Sequence, residues 1–137
     1  MKVLTTILFF MVVMQGFIAK AADKSICNPS ASMSFFPDGQ VEACDLKKIY
    51  EIGQLKCNAY SLISFHQNGK IASCVLYEDY TVDGIPCGDL GTIAFYASGK
   101  VRSCTLDKNF TVGNKVCMKA QPIMFYENGT LMTCTEQ

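Results

Sequence analysis

The chain has 137 residues, half of them apolar, and its twelve basic residues balance twelve acidic ones. A chain of this length holds one domain and, at most, one processed segment beside it. Because there is no basic excess, the composition predicts no nucleic-acid partner.

The first 21 residues have the pattern of an export signal. Lys2 gives a positive start, an apolar run follows over 3–14, and Ala19-Lys20-Ala21 places small residues where a signal peptidase reads them. We expect residues 1–21 to be a signal peptide, and no membrane association once it is cleaved. The alternative is an uncleaved anchor, since the apolar run is almost long enough to cross a bilayer. Without its two lysines the remaining chain has a net charge of about −2, from ten basic and twelve acidic residues.

Residues 22–137 form a single predicted domain that repeats a thirty-residue unit. Eight cysteines mark the unit, at alternating spacings of 17 and 13 residues: Cys27, Cys44, Cys57, Cys74, Cys87, Cys104, Cys117 and Cys134. The copies are 27–56, 57–86, 87–116 and a shorter 117–137. An even number of cysteines behind an export signal predicts disulfides and a secreted or periplasmic location.

The repetition leaves two regular ways to pair the cysteines. Pairing across each spacing of 17 uses all eight, whereas pairing across each spacing of 13 leaves Cys27 and Cys134 unpaired. We favour the first scheme because it is complete. The competing interpretation is a zinc site, which needs closely spaced ligand pairs. The sequence has no such pair and one histidine, so we predict neither a metal nor a cofactor.

Each copy contains a β-hairpin centred on a glycine. Counting from the first cysteine of a copy, position 9 is always phenylalanine, position 13 is always glycine, and position 15 is valine, isoleucine or leucine. Alternating apolar residues on both sides of a turn are typical of a hairpin. A three-residue loop closed by the glycine sets position 9 opposite position 15, and a two-residue loop sets it opposite position 16. Apolar opposite apolar favours the three-residue loop.

A second hairpin follows in each full copy, with turns at 53–54, 83–84 and 113–114. One copy cannot bury its apolar face alone, but neighbouring copies can bury it together. The predicted fold is therefore all-β: an elongated, solenoid-like antiparallel meander of four β-hairpin repeats, stapled by disulfides.

The segments "FHQNGK" (65–70) and "FYENGT" (125–130) resemble the aromatic-rich hairpin of bacterial MORN-variant repeats. The resemblance covers about eight residues in each copy. The chain differs in its thirty-residue period and in its cysteines. It also resembles exported bacterial proteins of unknown function that carry arrays of a similar thirty-residue phrase. The resemblance implies a bacterial source, no catalytic residues, and a surface for binding or scaffolding.

Position 10 supplies the candidate binding residues. If position 9 faces the core, position 10 faces away from it. The candidates are Phe36, His66, Tyr96 and Tyr126. Exposed aromatic rows mark interaction surfaces, so we expect a protein or carbohydrate partner here. The alternative is that both sheet faces are covered and the row is a second core.

We predict no enzymatic activity. His66, the one histidine, stands where the other copies have phenylalanine or tyrosine, and paired cysteines leave no cysteine nucleophile for it to activate. The predicted function is an exported, non-catalytic binding module or scaffold. The alternative is a small secreted disulfide-rich inhibitor or effector.

Overall fold

The computed structural model describes residues 22–137, so the predicted signal peptide lies outside the described residues. Between these limits the chain forms a 3-10 turn over Lys24–Ile26 and fourteen β-strands. The strands are β1 (Met33–Phe35), β2 (Val41–Asp45), β3 (Tyr50–Ile52), β4 (Leu55–Cys57), β5 (Leu62–Phe65), β6 (Ile71–Val75), β7 (Tyr80–Val82), β8 (Ile85–Cys87), β9 (Thr92–Phe95), β10 (Val101–Thr105), β11 (Phe110–Val112), β12 (Lys115–Cys117), β13 (Pro122–Phe125) and β14 (Leu131–Cys134). None of the described residues forms a helix long and apolar enough to span a membrane.

The strands form one long sheet and three short ribbons. Eight strands pair in the order β1-β2-β5-β6-β9-β10-β13-β14, and all of these pairings are antiparallel. The other six form the two-stranded ribbons β3–β4, β7–β8 and β11–β12. Each ribbon follows one hairpin of the sheet and precedes the next. The predicted all-β meander of disulfide-stapled hairpins is confirmed.

The sheet hairpins turn through the predicted three-residue loop. In the first copy, Phe35 lies opposite Val41, and the backbone N–H of Phe36 donates to the carbonyl of Gln40 at 2.9 Å. Gly39 closes the loop at φ +85°, a backbone conformation that residues with a Cβ rarely adopt. The Asp38 carboxylate accepts from the backbone N–H of Gln40 at 3.1 Å, which stabilises the turn from within.

The ribbon turns are also where the sequence predicts them. Asp83 and Gly84 connect β7 to β8 with φ values of +51° and +78°. Two consecutive residues with positive φ are typical of a type I′ turn, whose twist suits a two-residue hairpin. The short loop holds the two ribbon strands in tight register.

The core lies between the ribbons and one face of the long sheet. Because side chains alternate along a strand, one face carries Ile63 and Cys74 while the other carries Ser64 and Ser73. The largest fully buried side chains occupy two positions of the repeat. Position 7 supplies Ile63, Ile93 and Ile123, and position 20 supplies Leu46, Leu76 and Leu106. The ribbons contribute Leu55 and Ile85 to the same buried cluster. This core is one layer thick and runs the length of the sheet.

Every disulfide joins residues 17 apart, as the complete pairing scheme predicts. The bonds are Cys27–Cys44, Cys57–Cys74, Cys87–Cys104 and Cys117–Cys134. The last three each tie the end of a ribbon to the second strand of the next sheet hairpin. A loop of this size contributes about 3 kcal/mol by constraining the unfolded chain. Four such bonds indicate an oxidising environment, extracellular or periplasmic.

One phenylalanine departs from the predicted core. Phe65 and Phe125 are 5% exposed, but Phe35 is 48% exposed. Phe125 lines the same cavity as Phe110 and Val112 of the preceding ribbon. Phe35 belongs to the first copy, and no ribbon precedes it among the described residues. Phe95, in the third copy, is half-buried. Position 9 is therefore most exposed in the one copy that no described ribbon precedes.

Candidate functional site

Within residues 22–137, the long sheet has one face that no ribbon covers, which we call the open face. Residues at positions 6 and 19, such as Leu62 and Asp45, lie on this face at its end away from the hairpin turns. Its central residues are at positions 8 and 17, which lie opposite one another across all eight strands. They are Ser34, Ala43, Ser64, Ser73, Ala94, Ser103, Met124 and Thr133, and none of them is buried. Because most of these side chains are small, the open face is nearly flat. It offers hydroxyl groups at the surface, as in the 2.7 Å hydrogen bond between Ser64 and Ser73.

The four predicted binding residues form an aromatic row beside the open face, at the turn end of the hairpins. Phe36, His66, Tyr96 and Tyr126 occupy the same position in successive copies. Neighbours in the row are two strands apart, a separation of about 10 Å. The first three are half-buried, and Tyr126 is 51% exposed. The structure thus brings the candidates together in one line, with unequal exposure.

Two members of the row also hold neighbouring copies together. The Tyr96 hydroxyl donates to the backbone carbonyl of Phe125 at 2.8 Å. The His66 ring nitrogen Nε2 lies 2.9 Å from the carbonyl of Phe95, and it must donate because a carbonyl only accepts. The polar tips of these residues are therefore engaged, and the ring surfaces are what they offer a partner.

Side chains of the turns continue this link between copies. Asn68 donates from Nδ2 to the carbonyl of Ala97 at 2.8 Å, and the Lys70 ammonium donates to the carbonyl of Ser98 at 3.0 Å. In the next copy, the guanidinium of Arg102 lies 5.9 Å from the centre of the Tyr96 ring, within range of a cation–π interaction. These contacts fix the geometry of the row.

An exposed apolar group at the opposite end of the strands was not predicted from the sequence. Tyr60, Leu62 and Leu90 are all more than half exposed, and we call them the apolar rim. Tyr60 and Leu90 occupy position 4 of their copies, with left-handed φ values of +56° and +57°. Their backbone N–H groups donate to the carbonyls of Leu46 and Leu76, both at 2.9 Å. The sequence signal for this group was the presence of two large apolar residues, Tyr60 and Leu90, in segments that connect a ribbon to the sheet.

The described residues offer neither a free thiol nor a cluster of metal ligands. All eight cysteines are in disulfides, and no cysteine in the described part of the chain is free. Residues 22–137 contain no group of three or more histidine, cysteine, aspartate or glutamate side chains that could hold a metal ion.

Comparison with known proteins adds no relative: no family model, no curated protein and no solved structure matches the chain.

Proposed function

We propose that the protein is an exported, non-catalytic binding module or scaffold that holds its partner on the open face and the aromatic row. The observation that carries this proposal is the uncovered face itself. It crosses eight strands without one buried residue, while the other face of the same sheet holds the core. A flat uncovered face bordered by aromatic rings is suited to contact with a partner.

The repeat favours an extended partner that lies across the strands. Each copy presents the same pair of features, a small-residue strip and a ring, about 10 Å from those of the next copy. A partner that contacts several copies gains affinity from each, because every contact after the first is intramolecular. Rings can stack on sugar rings or pack against apolar side chains, so the partner is a carbohydrate or a protein.

The pairing of all eight cysteines supports a non-catalytic function. A cysteine nucleophile requires a free thiolate, and the sulfur atoms here are joined in pairs. His66 directs Nε2 to a backbone carbonyl. Its role in this proposal is to join copies and to contribute one ring to the row.

Export is tested by an intact mass of the protein recovered from outside a bacterial cytoplasm. We expect an N-terminus at Ala22 and a mass about 8 Da below that of the reduced chain, since each disulfide removes two hydrogens. Peptide mapping should link Cys87 to Cys104. Free thiols, or a retained 1–21 segment, would contradict the export part of the proposal.

Binding is tested by screening the oxidised protein against immobilised glycans and peptides, and then comparing two variants on any ligand found. Tyr126→Ala removes a ring from the row, and Tyr60→Ala removes an even more exposed ring from the apolar rim. Losing one stacking contact should weaken binding about five- to tenfold in Tyr126→Ala only. Equal affinities for the wild type and Tyr126→Ala would place the binding surface elsewhere.

A further inference from the structure

Within residues 22–137, the long sheet ends in two edge strands, each of which pairs on one side only. These two strands are equivalent to the two sides of an internal joint, by which we mean the pairing of one copy's sheet hairpin with the next. The second strand of each of the first three hairpins, β2, β6 or β10, pairs with the first strand of the next copy. In the last hairpin that second strand is β14, and in the first hairpin the first strand is β1. Both are at the edges of the sheet. We propose that β14 of one chain pairs with β1 of a second copy, so that chains associate head to tail.

The internal joints define the register of the proposed one. Between β10 and β13, Cys104 lies opposite Ile123, and the backbone N–H of Leu106 donates to the carbonyl of Gln121 at 3.0 Å. In the proposed joint, the residues of β10 are replaced by those thirty positions later in β14, and the residues of β13 by those ninety positions earlier in β1 of the second chain. Cys134 then lies opposite Met33, and the backbone N–H of Glu136 donates to the carbonyl of Ala31. Antiparallel pairing alternates, so the N–H groups of Met33 and Glu136 both face the open edges.

The side chains that bond across the internal joints have unused counterparts at the β14 edge. The Tyr96 hydroxyl donates to the next copy, but the hydroxyl of Tyr126 has no hydrogen bond within residues 22–137. Asn68 donates from Nδ2 to the next copy, whereas in the described part of the chain Asn128 bonds only through Oδ1, which accepts from Thr130. In the proposed joint, Tyr126 donates to the carbonyl of Phe35 and Asn128 to that of Pro37.

Neither edge strand carries a charged residue or a proline. Natural sheets protect their edges with charged residues, especially lysine, and with proline. Met33–Phe35 and Leu131–Cys134 contain none of these. Phe35 at the β1 edge is 48% exposed, against 5% for Phe65, which has a copy before it. Among the described strands, both edges are therefore open to a strand from a second copy.

The joint is heterologous, because β14 and β1 are different surfaces. Such a contact leaves one free edge of each kind, and repeated association produces a linear array. This inference stands apart from the proposed function. Ligand binding is measured at protein concentrations where the chain is monomeric, so either proposal can fail without the other.

The test blocks each edge separately and measures mass by sedimentation velocity over a wide concentration range. Met33→Pro removes the edge-facing N–H of β1, and Glu136→Pro removes that of the β14 end. The matched controls are Met33→Ile, the residue of the other copies, and Glu136→Ala, which loses the same ion pair to Lys115 as the proline variant. Circular dichroism and intact mass establish that each variant folds with four disulfides.

We expect the average mass of the wild type and of both controls to rise with concentration beyond that of a dimer. Each proline variant alone should stay monomeric. An equimolar mixture of the two should form a dimer and nothing larger, because Met33→Pro keeps β14 and Glu136→Pro keeps β1. A monomeric wild type, a monomeric mixture, or a dimer of Met33→Pro by itself would overturn the proposal; the last would indicate symmetric β14–β14 pairing.

A milder pair of variants provides a second measurement that does not depend on proline. Tyr126→Phe removes only the hydroxyl that donates across the proposed joint, and should raise the dissociation constant about fivefold. Tyr96→Phe removes the equivalent hydroxyl from an internal joint. It should leave the dissociation constant unchanged. Equal association by both variants and the wild type would exclude Tyr126 from the joint.

Discussion

Single residues at position 10 connect one copy to the next. His66 and Tyr96 differ in shape and chemistry, yet each places a donor within 3 Å of the position-9 carbonyl of the following copy. This shared geometry explains how a histidine stands among aromatic residues in the repeat. The carbonyl lies beside the hairpin turn, where the sheet ladder shifts its register, and the side chain supplies the donor in place of a backbone N–H.

We expect Tyr96→Phe to lower the free energy of unfolding by about 1 kcal/mol, because the backbone carbonyl of Phe125 loses its donor. Tyr126→Phe should change it by much less in dilute monomeric protein. Denaturant titration of the oxidised protein measures both. Equal losses in the two variants would mean that the Tyr96 hydrogen bond contributes nothing of its own.

A surface ion pair joins the first ribbon to the segment that connects β6 of the sheet to β7 of the second ribbon. The Lys56 ammonium of β4 lies 2.8 Å from a carboxylate oxygen of Glu78. This hydrogen bond, together with the carboxylate charge, raises the pKa of Lys56 above its ordinary 10.5. A raised pKa means that the folded state holds the proton more tightly. The small stabilisation is therefore complete below pH 10.5 and is lost as the pH rises through the folded pKa.

We expect Glu78→Gln to lower the pKa of Lys56 towards its ordinary value, as followed by NMR titration of the lysine side chain. Added salt should have the same effect in the wild type, because an exposed pair is screened. Glu51 raises the same pKa to a smaller extent, so Glu51→Gln is the matched control and should shift it less. A larger shift in Glu51→Gln would contradict the assignment.

At the scale of the element, the connection from ribbon to sheet contains a strained residue. Leu90 has a left-handed backbone and is 69% exposed. For a residue with a Cβ this conformation costs about 1–2 kcal/mol, and little burial offsets it here. The conformation directs the backbone N–H of Leu90 onto the carbonyl of Leu76, which directly follows β6 of the preceding sheet hairpin. The strain therefore belongs to a fixed step between copies.

Leu90→Asn should raise the free energy of unfolding by about 1 kcal/mol, since asparagine tolerates the left-handed conformation. Leu62→Asn is the control: this leucine is also exposed, but it lies in strand β5, where asparagine is disfavoured. The Leu62→Asn variant should have a lower free energy of unfolding than the wild type. Thermal or denaturant unfolding distinguishes them, and destabilisation of Leu90→Asn would show that the leucine side chain makes a necessary contact.

At the scale of the whole molecule, stability is distributed along a line. Each sheet hairpin pairs only with the hairpins before and after it. One disulfide lies in every copy, so each copy is stapled separately. The stability of such an array is approximately the sum of its copies and of the interfaces between neighbours.

Replacing Cys87 and Cys104 by serine should cost about 3 kcal/mol and divide the unfolding transition into two, because an inner copy connects the two ends. Replacing Cys117 and Cys134 should cost a similar amount but loosen only the last hairpin. Denaturant unfolding followed by hydrogen exchange separates the cases. One sharp transition in both double variants would show that the molecule unfolds as a single unit.

The sequence was sufficient to predict the structural features that depend only on contacts within one copy. The turn glycine, the residue before it and the pairing of Phe35 opposite Val41 depend on contacts between residues that are close in sequence. The hairpins, both kinds of turn and the disulfide pairing could therefore be inferred from spacing. In the candidate site, the alignment of Tyr96 and Tyr126 follows from the period alone.

The tertiary structure decided everything that depends on how one copy meets the next. It joined the hairpins edge to edge in one sheet, placed all ribbons on one face, and thereby left the other face open. It also directed the tip of Tyr96 to a neighbouring carbonyl and left Phe35 half-exposed. In a repeated sequence, equivalent residues have the same local conformational preferences and the same neighbours in sequence. Only their position in the array determines which of them have a neighbour to contact.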